Sequence, residues 1–260
     1  MPRPEEMLFP TRRERFEDRR KESDHRKVLD EFFDHPTLLA ISRLISRGVI
    51  NAIDSPISTG KEGGVFRATS SSGFRAVKVY RISNTVFRHL PAYALEELRR
   101  EASQRNFSRL IFAWTRREHT ILARLEAAGV RVPQPLGYYR NVLVMAFVGR
   151  DSIPAPRLKD AIIDEPQALY DELVAQLHAM VTKAKLVHGD LSPYNVLLNE
   201  GLPVIIDLGQ AIAVEHPQAK ELLLRDATNF AKFFQRFDLS VTAEQFYEAA
   251  GGGLLTSKER

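Results

Sequence analysis

Apolar positions fall into blocks whose spacing changes along the chain. In the first, Pro36 stands at an opening helical position, and Leu38, Leu39, Ile41, Leu44 and Ile45 follow near helical spacing until Gly48. Three β-rich stretches come next: Val49–Ser58, Val65–Ala68 and Phe74–Tyr80. The turn residues SSSG between the last two predict a hairpin. Residues 81–107 are polar with scattered aromatics and no clean period, which predicts a long loop or a mobile helix. Residues 108–128 regain helical spacing up to Gly129, and Pro133 and Pro135 then lead into strands over Leu136–Tyr139 and Val142–Phe147. A Pro-containing link, SIPAPRL, precedes a helix opened by Pro166 and running to about Lys185. A short hairpin follows over Asn195–Leu198 and Val204–Ile206. Two helices close the chain, one after His216-Pro217 and one with Thr242 and Gln245 spaced as a capping box. This order predicts an α+β protein, β-rich first and mostly helical afterwards.

Composition narrows the class. The 260 residues are 44% hydrophobic and 27% charged, enough for a sizeable core and a soluble surface. Net charge is +4, mildly basic, which permits a nucleic-acid partner without implying one. The absence of cysteine excludes disulfides, thiolate metal sites and cysteine nucleophiles. No secretory h-region and no apolar run of transmembrane length occurs, so the expectation is a cytoplasmic protein with no membrane partner. Residues 1–33 mix charges of both signs and read as a charged tail or solvated helix. Its basic positions Arg12, Arg13, Arg19, Arg20 and Lys21 are offset by neighbouring acids.

The strongest chemical signal is HGDLSPYN at residues 188–195, followed across a hairpin by IIDLG at 205–209. Asp190 and Asn195 have the D-x-x-x-x-N spacing, and Asp207 supplies a second carboxylate. Phosphoryl transfer from ATP needs metal held against the phosphates and an oriented nucleophile. Carboxylate and amide oxygens suit Mg²⁺. Asn195 and Asp207 are therefore the candidate metal ligands, and Asp190 the group that orients the attacking oxygen. His188 reads as a residue that orders the loop by hydrogen bonding. Lys78 lies in an apolar strand pattern, AVKVY, and must reach solvent or meet a partner. Glu118 on the long helix is the leading acid for it, with Glu96, Glu97 and Glu101 as rivals. Ser58, Thr59, Gly60, Lys61 and Glu62 stand where a phosphate-covering loop belongs, although a plain Gly-rich turn has the same composition. Met145, Ala146 and Val148 end an apolar strand where an adenine-binding hinge would lie, with the Ala146 carbonyl and Val148 N–H reading the base edge.

Together PISTGKEGGVFRA, VKVYR, FAWTRRE, PAPRL, LVHGDLSPYNVLL and IIDLGQAI resemble the RIO family of atypical serine/threonine protein kinases, in its branch without a winged-helix domain. The resemblance covers roughly residues 34–238. It implies a bilobal protein-kinase-like fold with a β-rich N-lobe (34–148) and a reduced helical C-lobe (149–260), binding ATP and Mg²⁺. By match, Lys78 and Glu118 form an ion pair, Asp190 is catalytic, and Asn195 and Asp207 hold metal. It also implies autophosphorylation, with Ser83, Thr85 and Ser103 as candidates, ATP hydrolysis through a phosphorylated Asp207, and a role in maturation of the small ribosomal subunit on a pre-ribosomal particle of rRNA and ribosomal proteins. Ser192, where protein kinases commonly have lysine, and the lack of an A-P-E motif after Asp207 fit that branch and predict no broad peptide-docking platform. Asp226 is a candidate buttress of the catalytic loop. Two other readings stay open: a small-molecule kinase of the aminoglycoside or choline type, and a nucleotide-bound, non-catalytic assembly factor using a basic region of Arg99, Arg100, Arg105, Arg109, Arg116 and Arg117.

Overall fold

Asp34 caps a helix by accepting a hydrogen bond from the Thr37 N–H at 2.9 Å, and Pro36 occupies that helix's first turn. The computed structural model describes residues 32–60, 63–82, 92, 93, 95, 96, 98 and 107–255. Helix α1 (His35–Ser46) buries Thr37, Ala40, Ile41 and Leu44, while Leu38, Leu39 and Ile45 stay exposed. Its buried stripe is thus narrower than the apolar spacing predicts, because only one side of α1 meets the sheet.

That sheet is built from β1 (Ala52–Thr59), β2 (Gly63–Ser70), β3 (Gly73–Tyr80), β4 (Pro135–Tyr139) and β5 (Val142–Ala146) in the order β1-β2-β3-β5-β4, with every pairing antiparallel. The predicted SSSG turn joins β2 to β3, with Gly73 at φ 103°. Strand parity then sorts the side chains. Phe66, Val77, Val79, Val142 and Val144 pack together with α1 on one face. Ala76, Tyr80, Leu143 and Met145 face the other way, into the main core. Lys78 alternates with Val77 and Val79 and pairs in register with Leu143, so parity sends it toward the long helix.

Helix α2 (Phe107–Ala127) covers that second face, with Leu110, Ile111, Trp114, Ile121, Leu122 and Leu125 buried, and ends at Gly129 with φ 80°. Glu118 lies within the same apolar stripe and is 2% exposed. Of the polar stretch 81–107, residues 92, 93, 95, 96 and 98 are helical, and Tyr93 and Leu98 are buried in the main core. Tyr93, Leu95 and Leu98 fall at i, i+2 and i+5, so they form no i, i+3, i+4 stripe that would mark this stretch in the sequence.

The SIPAPRL link contains a small hairpin, β6 (Gly149–Arg150) with β7 (Ile153–Pro154), and a 3₁₀ turn at Leu158–Asp160. Helix α3 (Pro166–Thr182) starts at its proline as expected and stops short of Lys185. Strand β8 (Leu186–Val187) pairs with β11 (Ile212–Ala213), and β9 (Val196–Asn199) pairs with β10 (Leu202–Ile205). Between these pairs run the two motif loops. Helices α4 (Ala219–Gln235) and α5 (Ala243–Ala249) pack through Phe230, Phe234 and Phe246, and the Phe230 and Phe246 rings stack at 5.7 Å. The Thr242–Gln245 capping box is present. The N-lobe sheet and the helical C-lobe meet at the β5–β6 connection, the architecture of a bilobal kinase. Among the described residues, no helix is long and apolar enough to cross a membrane.

Candidate active site

A cleft of about 160 Å³ opens between the sheet and the helical half. Ser58, Lys78, Glu118, Met145, Ala146, Phe147, Val148, Asn195 and Asp207 all line it, although they lie far apart in the chain. The Lys78 Nζ donates to Glu118 Oε1 at 2.8 Å and to Asp207 Oδ1 at 2.9 Å. Burial would lower the Lys78 pKa, but Asp207 and then Glu118 outweigh it and hold the ammonium above its usual range. Asp207 is held below the usual carboxylate range, first by Lys78, despite partial desolvation. Burial pushes Glu118 upward against the pull of Lys78. Glu118 Oε1 also accepts from the Leu208 N–H at 3.3 Å, so one acid ties the strand lysine to the loop after β10 that carries Asp207, the candidate metal loop. Among the rivals, Glu96 is absent from the cleft lining, and Glu97 and Glu101 lie outside the described residues.

Asp207 adopts φ 63° and ψ 59°, the left-handed region that Asp tolerates better than most residues. Its turn continues through Gly209, where an added Cβ would meet the Trp114 ring at 2.5 Å. The metal loop thereby lies directly on α2.

The loop carrying Asp190 is fixed from behind. The buried Asp226 carboxylate accepts from the Gly189 N–H at 3.0 Å and from the Leu191 N–H at 2.9 Å. Arg225 donates to the Gly189 carbonyl, and Asn229 Nδ2 donates to the Leu191 carbonyl at 3.0 Å. Burial raises the Asp226 pKa to about 7, with the two N–H donors and Arg225 pulling the other way. Arg225 and Asn229 were not singled out in the sequence. The available signal was their placement beside Asp226 and one turn beyond it on α4. His188 is 1% exposed, and burial lowers its pKa. Its neutral ring donates from Nε2 to the Ile206 carbonyl at 3.0 Å and accepts at Nδ1 from the Asp190 N–H at 3.3 Å, which makes it a loop-ordering residue. Asp190 itself is exposed at the edge of the site. Partial desolvation, and then the charge of Asp207, raise its pKa.

Asn195 Nδ2 donates to the Asp190 carbonyl at 2.8 Å, leaving Oδ1 as the amide's acceptor. Asp207 presents a carboxylate that is 57% exposed. This is a hard-oxygen donor pair, and no cluster of three His, Cys, Asp or Glu residues occurs among the described residues. Such a site fits Mg²⁺, which takes one or two protein oxygens and completes its shell with phosphate and water.

The phosphate-loop candidates divide. Ser58 and Thr59 are within β1, and Gly60 donates its N–H to the Gly63 carbonyl at 2.9 Å. Ser58 lines the cleft, whereas Thr59 and Gly60 do not, and Lys61 and Glu62 lie outside the described residues. Ser83, Thr85, Ser103, Arg99, Arg100, Arg105 and the segment before residue 32 also lie outside them. Within the basic region, Arg117 donates to the Ala211 carbonyl at 2.6 Å and so braces the metal-loop side of α2.

Residues 64–246 match the family model described as the RIO domain. A RIO-type serine/threonine-protein kinase Rio1 from Haloferax volcanii is 42% identical over 238 residues, covering 91% of this chain and 82% of that protein. The serine/threonine-protein kinase RIO1 of Homo sapiens is 34% identical over 234 residues, covering 88% of this chain and 41% of the human protein. The Caenorhabditis elegans RIO1 kinase is likewise spanned over 50% of its length. A crystal structure of the Rio2 kinase–ADP/Mg²⁺–phosphoaspartate complex from Chaetomium thermophilum shares the fold at a TM-score of 0.63 and 22% identity, covering 85% of this chain and 66% of that one. The chain belongs to the RIO family of serine/threonine-protein kinases.

Proposed function

We propose that the cleft binds ATP with Mg²⁺ and passes the γ-phosphoryl group to a serine hydroxyl or to water. The observation that carries this is the Lys78 ammonium joined to both Glu118 and Asp207 in a cleft that also contains the hinge residues and Asn195. Lys78, held in place by Glu118, binds the α- and β-phosphates. Ser58 hydrogen-bonds the phosphates from the β1 side. The hinge around Ala146 and Val148 receives the adenine, and the Val148 carbonyl, which accepts from Ala155 N–H at 3.0 Å, folds the following link beside it. Asn195 and Asp207 would hold Mg²⁺, which when bound neutralises charge on the β- and γ-phosphates. Asp190 orients the attacking hydroxyl and takes its proton. A carboxylate with a raised pKa is a better base near neutral pH than an ordinary one.

When water is the final acceptor, Asp207 is the residue proposed to carry the phosphoryl group in between. The phosphoaspartate of the Chaetomium relative supports this choice. The family resemblance supports a pre-ribosomal particle as the place of action, in the cytoplasm.

The test is incubation with γ-labelled ATP. Wild-type protein should take up label in a Mg²⁺-dependent manner, as acid-stable phosphoserine or hydroxylamine-labile acyl phosphate. Asp190→Ala should still bind ATP but lose turnover. Undiminished labelling and hydrolysis in that variant would sink the assignment.

A further inference from the structure

The cleft contains a cation beyond Lys78. Arg157 stands in the PAPRL link just past the hinge, and its side chain lines the cleft with Ser58, Lys78, Asn195 and Asp207. Its backbone is held on every side. It forms an antiparallel bridge with Leu197 on β9. The preceding Pro156 carbonyl accepts from the Leu198 N–H at 2.9 Å, and the Lys159 N–H donates to the Pro193 carbonyl at 3.1 Å. From this fixed C-lobe base, Arg157 Nη2 reaches across the cleft to Ser58 Oγ on β1 at 3.2 Å.

A neutral hydroxyl is a weak partner for a guanidinium with five donors. No carboxylate among the described residues forms an ion pair with Arg157. Its charge is close enough to Asp207 to help hold that carboxyl low. A part-buried planar guanidinium, with Ser58 and the Asp207 carboxylate beside it, suits the paired anionic oxygens of a tetrahedral phosphate better than an uncharged ribose.

We propose that Arg157 is a phosphate-binding residue which, with Ser58, clasps the two lobes over the polyphosphate of a bound nucleotide. The assignment rests on the nucleotide-binding reading of the cleft. Arg157 then selects for nucleoside polyphosphates over nucleosides, and Ser58 shares the same phosphate oxygen or stays bonded to the guanidinium.

The test is isothermal titration of wild type, Arg157→Gln and Arg157→Lys with Mg·ATP, and with adenosine by competition. Loss of a charge-assisted phosphate contact predicts that Arg157→Gln weakens ATP binding roughly tenfold or more and leaves adenosine unchanged. Arg157→Lys, which keeps the charge without the fork, should recover part of the loss. Unchanged ATP affinity in Arg157→Gln overturns the assignment. An equal loss for ATP and adenosine also overturns it, because the residue would then shape the pocket rather than bind phosphate. If wild type binds neither ligand, the nucleotide-binding reading itself fails, and this inference with it.

Discussion

Asp226→Ala is the most informative perturbation away from the cleft. In wild type one carboxylate serves two backbone donors, the N–H groups of Gly189 and Leu191, at 3.0 and 2.9 Å. All three residues are buried. Alanine leaves both N–H groups without an acceptor, at about 1–3 kcal/mol each, so the loss should be about 2–6 kcal/mol. Asparagine can accept from only one of them, which predicts about 1–3 kcal/mol. Urea unfolding followed by Trp114, the single tryptophan, reads this directly because its ring lies against Gly209 of the metal loop. Gly189 and Leu191 flank Asp190 and neither lines the cleft, so phosphotransfer turnover should fall while ATP affinity changes little. An alanine variant within about 0.5 kcal/mol of wild type, the scale of an ordinary surface substitution, would refute the account of how this loop is held.

Three further outcomes follow from the same geometry. Glu118→Ala leaves the Lys78 ammonium paired with Asp207 alone and removes the acceptor of the Leu208 N–H. It should cost about 3 kcal/mol in chemical denaturation and raise the KM for ATP. His188 has a depressed folded-state pKa, so its unfolded form binds more protons at acid pH. Its contribution to stability is present above the ordinary imidazole value of 6.5 and is lost as pH falls through the lowered one. Wild type should therefore lose more stability than His188→Gln between pH 7 and pH 5 in paired urea titrations. Gly209→Ala drives a methyl group into the Trp114 ring. It should destabilise by about 1–3 kcal/mol and shift Trp114 fluorescence, with Mg²⁺-dependent turnover reduced.

The chemistry of this chain was legible where a residue type is rare in its local pattern. A lysine in apolar AVKVY, an acid closing apolar IID and the D-x-x-x-x-N spacing of HGDLSPYN stood out; Lys78, Asn195 and Asp207 line one cleft, and Asp190 is bonded to Asn195 through its carbonyl. Helices and strands with clear periods lay within a few residues of the expected bounds. What stayed hidden depended on long-range pairing. Strands β8 and β11 contain two residues each, too few for a period, and exist because they pair with each other. Glu118 was the leading acid for Lys78 in the sequence, and the 2.8 Å contact between them agrees with that choice. The buried Tyr93 and Leu98 sit five residues apart in a charged stretch, with no apolar period to mark them. The phosphate-side loop was foreseen as a longer glycine-rich segment, but β1 continues through Thr59, so Ser58 is presented from a strand.

The central claim is that one cleft positions nucleotide and metal through Lys78, Asn195 and Asp207. A crystal structure of the protein with Mg²⁺ and a non-hydrolysable ATP analogue tests it most directly. The account predicts adenine against Ala146 and Val148, metal on Asn195 Oδ1 and the Asp207 carboxylate, and the Lys78 Nζ moved from Asp207 onto the phosphates while keeping Glu118. A nucleotide bound elsewhere, or a metal touching neither Asn195 nor Asp207, would contradict it.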